Sequence, residues 1–170
     1  MTNSNPPAPP APDAPPSTTP QLALDEALCF ALYTASRAVT HLYRPLLDDL
    51  GLTYPQYIVM LALWEQEGVP VKTLGDVLHL DYGTLSPLLK RLEARGLIRR
   101  ERRPDDERLV TISLTEQGKE LRTEAACIPE TITAGMGLNK SEFTSLNDTL
   151  HRLTTAVTAA SDATPKTTGG

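Results

Sequence analysis

Apolar residues in the first part of the chain recur at three- and four-residue steps, which is the spacing of an amphipathic helix. This pattern predicts a long helix from about Leu22 to Asp48, interrupted or ended near Pro45. After a turn, a second helix is predicted from Tyr54 to Glu65, because proline is tolerated in the first turn of a helix. The inward face of this second helix is expected to carry Ile58, Leu61 and Trp64.

Two shorter helices follow, bounded by residues that commonly start and stop helices. The third covers roughly Val71 to His79. The fourth begins after Asp81, which is a good N-cap, and runs to Arg95, where Gly96 stops it. We expect a local distortion at Pro87, because a proline inside a helix removes one hydrogen bond.

The hydrophobic period changes after Gly96 from that of a helix to two, which is typical of β-strands. Leu97 to Arg102 is one predicted strand, and residues 103–107 are the turn. In the second strand the apolar positions are Val110, Ile112 and Leu114. The pattern therefore predicts a β-hairpin.

Helical spacing returns after the hairpin. One helix is predicted from Thr115 to about Ile128, before Pro129, and a last one starts at Asn139 in a capping-box pattern and ends near Thr158. The predicted fold class is therefore mostly α-helical with a small β-hairpin. Its order of helix, helix, short helix, capped helix and basic hairpin is that of a winged helix-turn-helix, in which the fourth helix can enter the DNA major groove.

Composition limits the folded part of the chain to one domain. The chain has 170 residues, and eight of its 15 prolines lie in residues 1–20, so residues 1–21 are expected to form a disordered tail. Residues 159–170 look equally loose, which leaves residues 22–158 as the domain. The sequence has neither the apolar run of a membrane span nor the pattern of a signal peptide, so we expect a cytoplasmic protein.

Charge is distributed unevenly along the chain. The net charge is −5, but Lys90 to Arg108 contain eight basic and five acidic residues, so this segment carries +3 and the remainder −8. A compact basic segment is typical of a localised phosphate contact, although a solvated charged loop has the same pattern. A helix-turn-helix can also dock proteins. The basic residues fall on the second half of the fourth helix and on the hairpin, which favours DNA.

Candidate DNA contacts lie on the fourth helix and at the tip of the hairpin. Short hydroxyls and a proline favour backbone contacts and packing on thymine methyl groups, and Arg108 suits a narrow A·T-rich minor groove. Asp106 is expected to orient an arginine of the hairpin, whereas the other arginines there are equally compatible with solvated or salt-bridged positions. The candidates on the fourth helix are Thr84, Ser86, Pro87, Lys90 and Arg91.

These segments resemble the multiple antibiotic resistance regulator (MarR) family. The resemblance covers about residues 22–158 and is carried by DYGTLSPLLKRLEARGLIRR at 81–100, DDER at 105–108 and ISLTEQG at 112–118. Three further segments are similar to the organic hydroperoxide regulator branch of that family, namely LCFALY at 28–33, YRPLL at 43–47 and LTYPQY at 52–57.

The resemblance implies a homodimeric repressor of MarR-like architecture. Its DNA-binding lobe would span about residues 54–114, and its dimerisation helices about 22–48 and 115–158. It also implies that the dimer loses its affinity for an operator when Cys29 is oxidised by an organic hydroperoxide. The expected partners are double-stranded DNA, a second copy of the chain and the hydroperoxide, without a membrane. No cofactor or metal is expected, because two cysteines without a Cys-x-x-Cys motif or a histidine constellation do not make a zinc site.

Cys29 also needs an argument from its position, since a lone cysteine in an apolar helix is more often an inert packed residue. In the first turns of a helix the dipole and the unpaired amides favour a thiolate, the form that reacts with peroxides. Tyr33 lies one turn away on the same face and can border a pocket for the sulfur. Tyr43 is fourteen residues away, about 21 Å along the helix, so it can reach a sulfur only across an antiparallel two-fold dimer.

Two tyrosines and a second cysteine complete the candidate redox residues. For Tyr43 and Tyr54 the resemblance implies hydrogen bonds to the thiolate across the dimer, while the alternative is that both are ordinary interface residues. For Cys127, near the end of the helix after the hairpin, the two-cysteine members of the branch imply a disulfide with the partner subunit's Cys29. A cysteine without a role is equally compatible, and an external thiol would then resolve the oxidised Cys29.

Three functions remain open from the sequence. The first is a repressor released by oxidation of Cys29. The second is a thiol peroxidase, an enzyme in which the basic hairpin would have no use. The third is a repressor released by a phenolic ligand bound between the dimerisation and DNA-binding lobes. The sequence favours the first, so no enzyme is expected.

Overall fold

The computed structural model describes residues 23–103 and 106–163, with the backbone alone at residues 25, 102, 103, 106–109 and 162. The expected tail at residues 1–21 lies outside the described residues. The elements follow the order α1 (Leu28–Asp49), α2 (Tyr54–Glu65), β1 (Val69–Pro70), α3 (Val71–Leu78), α4 (Tyr82–Ala94), β2 (Ile98–Arg103), β3 (Asp106–Leu114), α5 (Glu116–Glu124), α6 (Ile128–Gly135) and α7 (Lys140–Ala163). The chain divides into two compact units between Ala35 and Ser36.

Helix α1 begins later than predicted and ends within one residue of the predicted Asp48. It begins at Leu28, after a short 3₁₀ turn at Leu24–Glu26, and continues through Pro45 to Asp49. The prediction that Pro45 interrupts or ends this helix was therefore wrong. Pro45 and His41, whose carbonyl loses its helical donor, are both exposed, so water can replace the missing hydrogen bond.

Helix α2 has the predicted bounds. The amide of Thr53 donates to the side chain of Gln56 at 2.9 Å, and proline occupies the first turn. Tyr57 and Trp64 are buried on its inward face, but Leu61 is 41% exposed, so its predicted inward position was wrong.

Helices α1, α3 and α4 end on a residue in the left-handed conformation. Gly51 follows α1 with a φ of +62°, and Gly96 follows α4 with a φ of +72°. His79 ends α3 with a φ of +52° although it carries a side chain. In all three turns the amides of this residue and of the next one bond back to carbonyls of the last helical turn. The short turn after His79 brings α3 against α4 as a helix-turn-helix.

Within the described residues, the strands form a three-stranded antiparallel sheet in the order β1, β3, β2. The predicted hairpin is confirmed, with Ile98 opposite Leu114. Strand β1 was not predicted, because its two residues are too few for a period to be visible; Val69 pairs with Ile112. The mostly helical fold class is confirmed, and the helix-turn-helix with its hairpin is a winged helix.

The elements after the hairpin differ from prediction around Pro129. The helix that starts after Thr115 ends at Glu124, and Pro129 lies in the first turn of a separate helix, α6. Proline is favoured at that position, so it starts a helix here rather than only ending one. The predicted capping box at Asn139 is confirmed by a 2.8 Å bond from its amide to Glu142, and α7 ends five residues later than predicted.

The core is one apolar cluster that includes residues of every helix from α1 to α6 and of the sheet. Trp64 joins it to the start of α5, where its indole nitrogen donates to the carbonyl of Gly118 at 2.8 Å. The buried side of α4 consists of Leu85, Leu89 and Leu92. The opposite side of α4 is therefore the one that faces solvent.

Candidate nucleic-acid interface and redox site

Helix α4 presents a polar face and has the position of a recognition helix. Leu85, Leu89 and Leu92 anchor its other face with at most 1% of each residue exposed. The side chains predicted to contact DNA therefore lie together on the outer side, where most are exposed and Ser86 is half-buried. These residues are Thr84, Ser86, Pro87, Lys90 and Arg91. The helix continues through Pro87.

The first turn of α4 is fixed by its N-cap. The amide and the hydroxyl of Thr84 donate to the two carboxylate oxygens of Asp81, each at 2.9 Å, and these bonds lower the pKa of Asp81. The proton of the Thr84 hydroxyl is therefore used inside the chain. Its oxygen and its methyl group remain available to a base edge or a thymine methyl.

The hairpin places more cationic side chains beside α4. Arg99 is exposed, whereas Arg100 is half-buried and forms an ion pair with Glu93 at 3.9 Å. Among the described residues, Nε of Arg100 is buried without a hydrogen-bond partner. Asp106 and Arg108 lie in β3, but their side chains fall outside the described residues.

Three tyrosines form a cluster where α1 meets α2. The rings of Tyr43 and Tyr54 are 4.9 Å apart, and those of Tyr43 and Tyr57 are 5.7 Å apart. Tyr57 also contacts Trp64 edge to face at 6.2 Å. The structure thus brings together the two predicted tyrosines, Tyr43 and Tyr54, and adds Tyr57, which sequence reasoning missed. Its spacing of one turn from Tyr54 in α2 was the available signal.

The hydroxyls of this tyrosine cluster keep their protons well above neutral pH. Burial, followed by the neighbouring Tyr54 and Tyr57, raises the pKa of Tyr43 to about 12. Burial also raises the pKa of Tyr54. For Tyr57 the pKa is raised by burial, by Tyr54 and by Cys127. Each hydroxyl is therefore a hydrogen-bond donor at physiological pH.

The two cysteines are both exposed and not in a disulfide. Cys29 is the second residue of α1, closer to the helix start than the sequence predicted, and the positive end of the dipole is strongest there. Tyr33, one turn further along, is 56% exposed. The predicted site of Cys127 near the end of a helix is corrected: it lies in a 3₁₀ turn between α5 and α6, within electrostatic reach of Tyr57.

Two open grooves lie elsewhere on the described surface, one beside α4 and one beside Tyr54. One has a volume of about 540 Å³ and runs between α3, the start of α4 and the sheet, with Lys72, Tyr82 and Arg100 in its lining. The other, of about 560 Å³, lies between α1 and the start of α2 and includes His41, Arg44 and Tyr54.

In residues 23–103 and 106–163, no group of three or more metal-ligating side chains could hold an ion. None of the described helices has the length and apolarity needed to cross a membrane.

Comparison with known proteins places the chain among transcriptional regulators. The family model of the transcriptional regulator SarA/Rot matches residues 41–125. The organic hydroperoxide resistance transcriptional regulator of Bacillus subtilis is 53% identical over 119 residues, which are 70% of this chain and 79% of that protein. The regulator MgrA of Staphylococcus aureus is 40% identical over 131 residues, which are 76% of this chain and 89% of MgrA.

Solved structures of AbfR from Staphylococcus epidermidis are similar in fold and sequence. Reduced AbfR bound to DNA has a TM-score of 0.67 and 34% identity, and the match covers 78% of this chain and 91% of AbfR. A disulfide-formed AbfR has a TM-score of 0.56 and 38% identity, with coverage of 74% and 88%.

Proposed function

The chain belongs to the MarR-like family of DNA-binding transcriptional regulators, in the branch of the organic hydroperoxide regulators, and we propose that it is a redox-controlled repressor. As a homodimer it binds a pseudo-palindromic operator. Oxidation of Cys29 by an organic hydroperoxide releases it. The observation that carries this proposal is the contact between Tyr43 and Tyr54, two hydroxyl donors from different helices whose rings lie 4.9 Å apart.

The DNA-binding surface consists of the outer face of α4 and the hairpin. Lys90 and Arg91 neutralise phosphates, while Thr84, Ser86 and Pro87 contact base edges and sugar-phosphate groups from the major groove. Arg108, oriented by Asp106, enters the flanking minor groove. A two-fold dimer would bring two copies of α4 to half-sites about one helical turn, 10–10.5 bp, apart.

The dimer is supported by apolar faces that remain exposed on the long helices. Leu28 and Leu32 are exposed on α1, as are Leu146, Leu150 and Val157 on α7. Burying such faces against a second copy is favourable by roughly 25 cal/mol for each Å² of apolar surface. An antiparallel pairing of α1 with the partner's α1 would bring the partner subunit's Cys29 to the tyrosine cluster.

The redox step uses the tyrosine cluster and both cysteines. The thiolate of Cys29 attacks a peroxide oxygen, and with one proton the products are an alcohol and a sulfenic acid. Hydroxyls of Tyr43 and Tyr54 from the other subunit stabilise the thiolate, and Tyr33 borders its pocket. Cys127 then attacks the sulfenic sulfur, and a disulfide and water result. Cys127 contributes to the raised pKa of Tyr57, so it lies within electrostatic range of the tyrosine cluster. This position supports its role in the reaction.

The proposal is tested by DNA release. The wild-type protein is bound to a fragment of its own promoter and treated with cumene hydroperoxide, and Cys29→Ser serves as the matched variant. We expect the wild type to dissociate and the variant to stay bound. Dissociation of both proteins would overturn the role of Cys29. Continued consumption of the peroxide over many equivalents would identify a thiol peroxidase instead.

One observation favours a second candidate, a repressor of this family released by a phenolic ligand. The groove between α1 and α2 offers His41, Arg44 and Tyr54 to an aromatic acid. Salicylate added to the DNA complex under reducing conditions distinguishes the two functions. If salicylate releases both the wild type and Cys29→Ser from DNA, the result would favour a repressor controlled by a phenolic ligand.

A further inference from the structure

One side chain ties the recognition helix to the turn between α1 and α2. Arg95, the C-cap of α4, donates from Nη1 to the carbonyl of Gly51 and from Nη2 to the carbonyl of Leu50, the latter at 3.1 Å. We call this guanidinium with its two carbonyls the Arg95 cap. Because Arg95 and Leu50 are 45 residues apart, the Arg95 cap joins elements that are distant in the sequence.

The end of α1 is suited to receive this guanidinium. The last carbonyls of a helix have no amide partner within it, and a cation is favoured there by the helix dipole. Gly51 has a φ of +62°, and a Cβ at that position would lie 2.8 Å from Nη2 of Arg95. Glycine therefore permits both the left-handed turn and the close approach of the arginine.

The same turn connects Tyr43 and Tyr54, whose rings are in contact at a tilt of 54°. Tyr43 lies before it in α1, and Tyr54 is the first residue of α2 after it. Residues 50–53 alone separate the two helices, so a shift of the end of α1 or of the start of α2 moves one end of this segment. The Arg95 cap holds that segment against the C-terminus of α4.

We propose that Arg95 is a positioning residue that couples the tyrosine cluster to the recognition helix. With the Arg95 cap intact, α4 is held at the position that fits its half-site; a change at Tyr43 or Tyr54 reaches α4 through the cap. The change at Tyr43 or Tyr54 that would start this coupling rests on the proposed release by oxidation. The effect of the cap on the reduced protein does not depend on that release.

Two variants remove the Arg95 cap from opposite sides. Arg95→Ala removes the donor together with its charge. Gly51→Asn keeps every charge. Asparagine tolerates the left-handed conformation, and its Cβ would displace the flexible guanidinium from the two carbonyls. Arg122→Ala, which removes an exposed arginine of α5, is the control. The affinity for the promoter fragment is measured for the reduced and the oxidised protein over a range of salt concentrations, with thermal melts of each variant.

We expect both cap variants to bind DNA about fivefold or more weakly in the reduced state, which is within the usual range of coupling between sites. The ratio of oxidised to reduced Kd should fall by the same factor, while the rate of Cys29 oxidation and the salt slope stay unchanged. Arg122→Ala should match the wild type. Arg95→Lys, whose ammonium can reach one carbonyl at a time, should lie between the wild type and Arg95→Ala.

Other outcomes overturn the coupling. If Arg95→Ala alone weakens binding, and the slope of log K against log salt changes by about 0.9, Arg95 contacts a phosphate instead. If both variants bind like the wild type, the Arg95 cap only terminates a helix. A wild-type protein that keeps its DNA after oxidation refutes the redox release, and the reduced-state affinities of the two variants then decide on the cap.

Discussion

Neutral tyrosine hydroxyls are suited to hold a thiolate because they donate hydrogen bonds without adding a negative charge. Burial raises the pKa of Tyr43 to about 12, so its hydroxyl stays protonated throughout the physiological range. Tyr54 shares this behaviour and approaches from a different helix. A pair of such donors stabilises the anion relative to the thiol, which makes the sulfur more available to a peroxide.

Removing either donor should slow oxidation of Cys29. In the proposed dimer the thiolate would lose one hydrogen bond in Tyr43→Phe or Tyr54→Phe, and bonds to charged groups contribute about 1.5–3 kcal/mol. We expect the rate of thiol loss with cumene hydroperoxide to drop in both variants, with the DNA affinity of the reduced protein nearly intact. Tyr82→Phe, on the exposed side of α4, is the control for this rate. Unchanged rates in both cluster variants would make these tyrosines packing residues.

Elements were predictable from the sequence where short-range chemistry decides their ends. The N-caps at Asp81 and Asn139 and the glycine stop at Gly96 depend on residues within one turn. Pro45 and Pro129 were misjudged because the effect of a proline depends on whether water or a new helix satisfies the freed carbonyl. Which of these occurs depends on the tertiary structure, and a local sequence pattern does not contain it.

The candidate site residues could likewise be predicted only as far as short-range patterns define them. Cys29, Tyr43 and Tyr54 could be named from their motifs, but the contact of Tyr43 with Tyr54 depends on how α1 folds back on α2. Tyr57 and Arg95 were missed as partners for this reason. No short-range pattern reports that Arg95 reaches a turn 44 residues earlier.

The N-cap of α4, Asp81, should make the stability of the protein depend on pH. Hydrogen bonds from the amide and hydroxyl of Thr84 lower the pKa of Asp81 in the folded protein. The contribution of Asp81 to the free energy of unfolding is therefore complete above its ordinary pKa of 3.8, and it is lost as the pH falls through the lowered pKa. In urea unfolding at pH 7 and pH 3, Asp81→Ala should be less stable than the wild type at pH 7 and closer to it at pH 3. Asp81→Asn keeps an acceptor and should lose less at pH 7. A wild type whose advantage is the same at both pH values would contradict this.

The start of α5 depends on a glycine for close packing. A Cβ at Gly118 would lie 2.0 Å from the carbonyl oxygen of Leu97, and the carbonyl of Gly118 is the acceptor for Trp64. Gly118→Ala should therefore lower the free energy of unfolding by about 1–3 kcal/mol, the usual cost of overpacking. The neighbouring exposed Gln117→Ala should change it by less than about 0.5 kcal/mol. Equal unfolding curves for the two variants would show that Leu97 moves freely.

On the scale of the whole molecule, the proposed function needs two copies of a chain whose charge is divided. The segment from Lys90 to Arg108 carries +3 and the remainder −8. Such a division directs the basic α4 and hairpin toward phosphates and leaves an acidic body away from them. It also means that affinity falls steeply with salt, so release by oxidation must be measured at constant ionic strength.

The proposed disulfide is a property of the dimer, because Cys127 of one protomer would pair with Cys29 of the other. A disulfide requires the two Cα atoms to come within about 7 Å, so its formation fixes the ends of α1 and α6 to each other across the interface. In the proposed mechanism, a shift of these helices would change the spacing of the two recognition helices. Loss of fit to half-sites of fixed spacing would then release the DNA.

Non-reducing electrophoresis after one equivalent of cumene hydroperoxide tests this pairing. We expect a cross-linked dimer from the wild type that dithiothreitol returns to monomer, and a monomer from Cys127→Ser. Cys29→Ser should also stay monomeric, which excludes a bond between two copies of Cys127. If the oxidised wild type runs as a monomer while its DNA is released, Cys127 has no part in the reaction. Cys29 would then work with an external thiol, and the mass of the adduct would identify it.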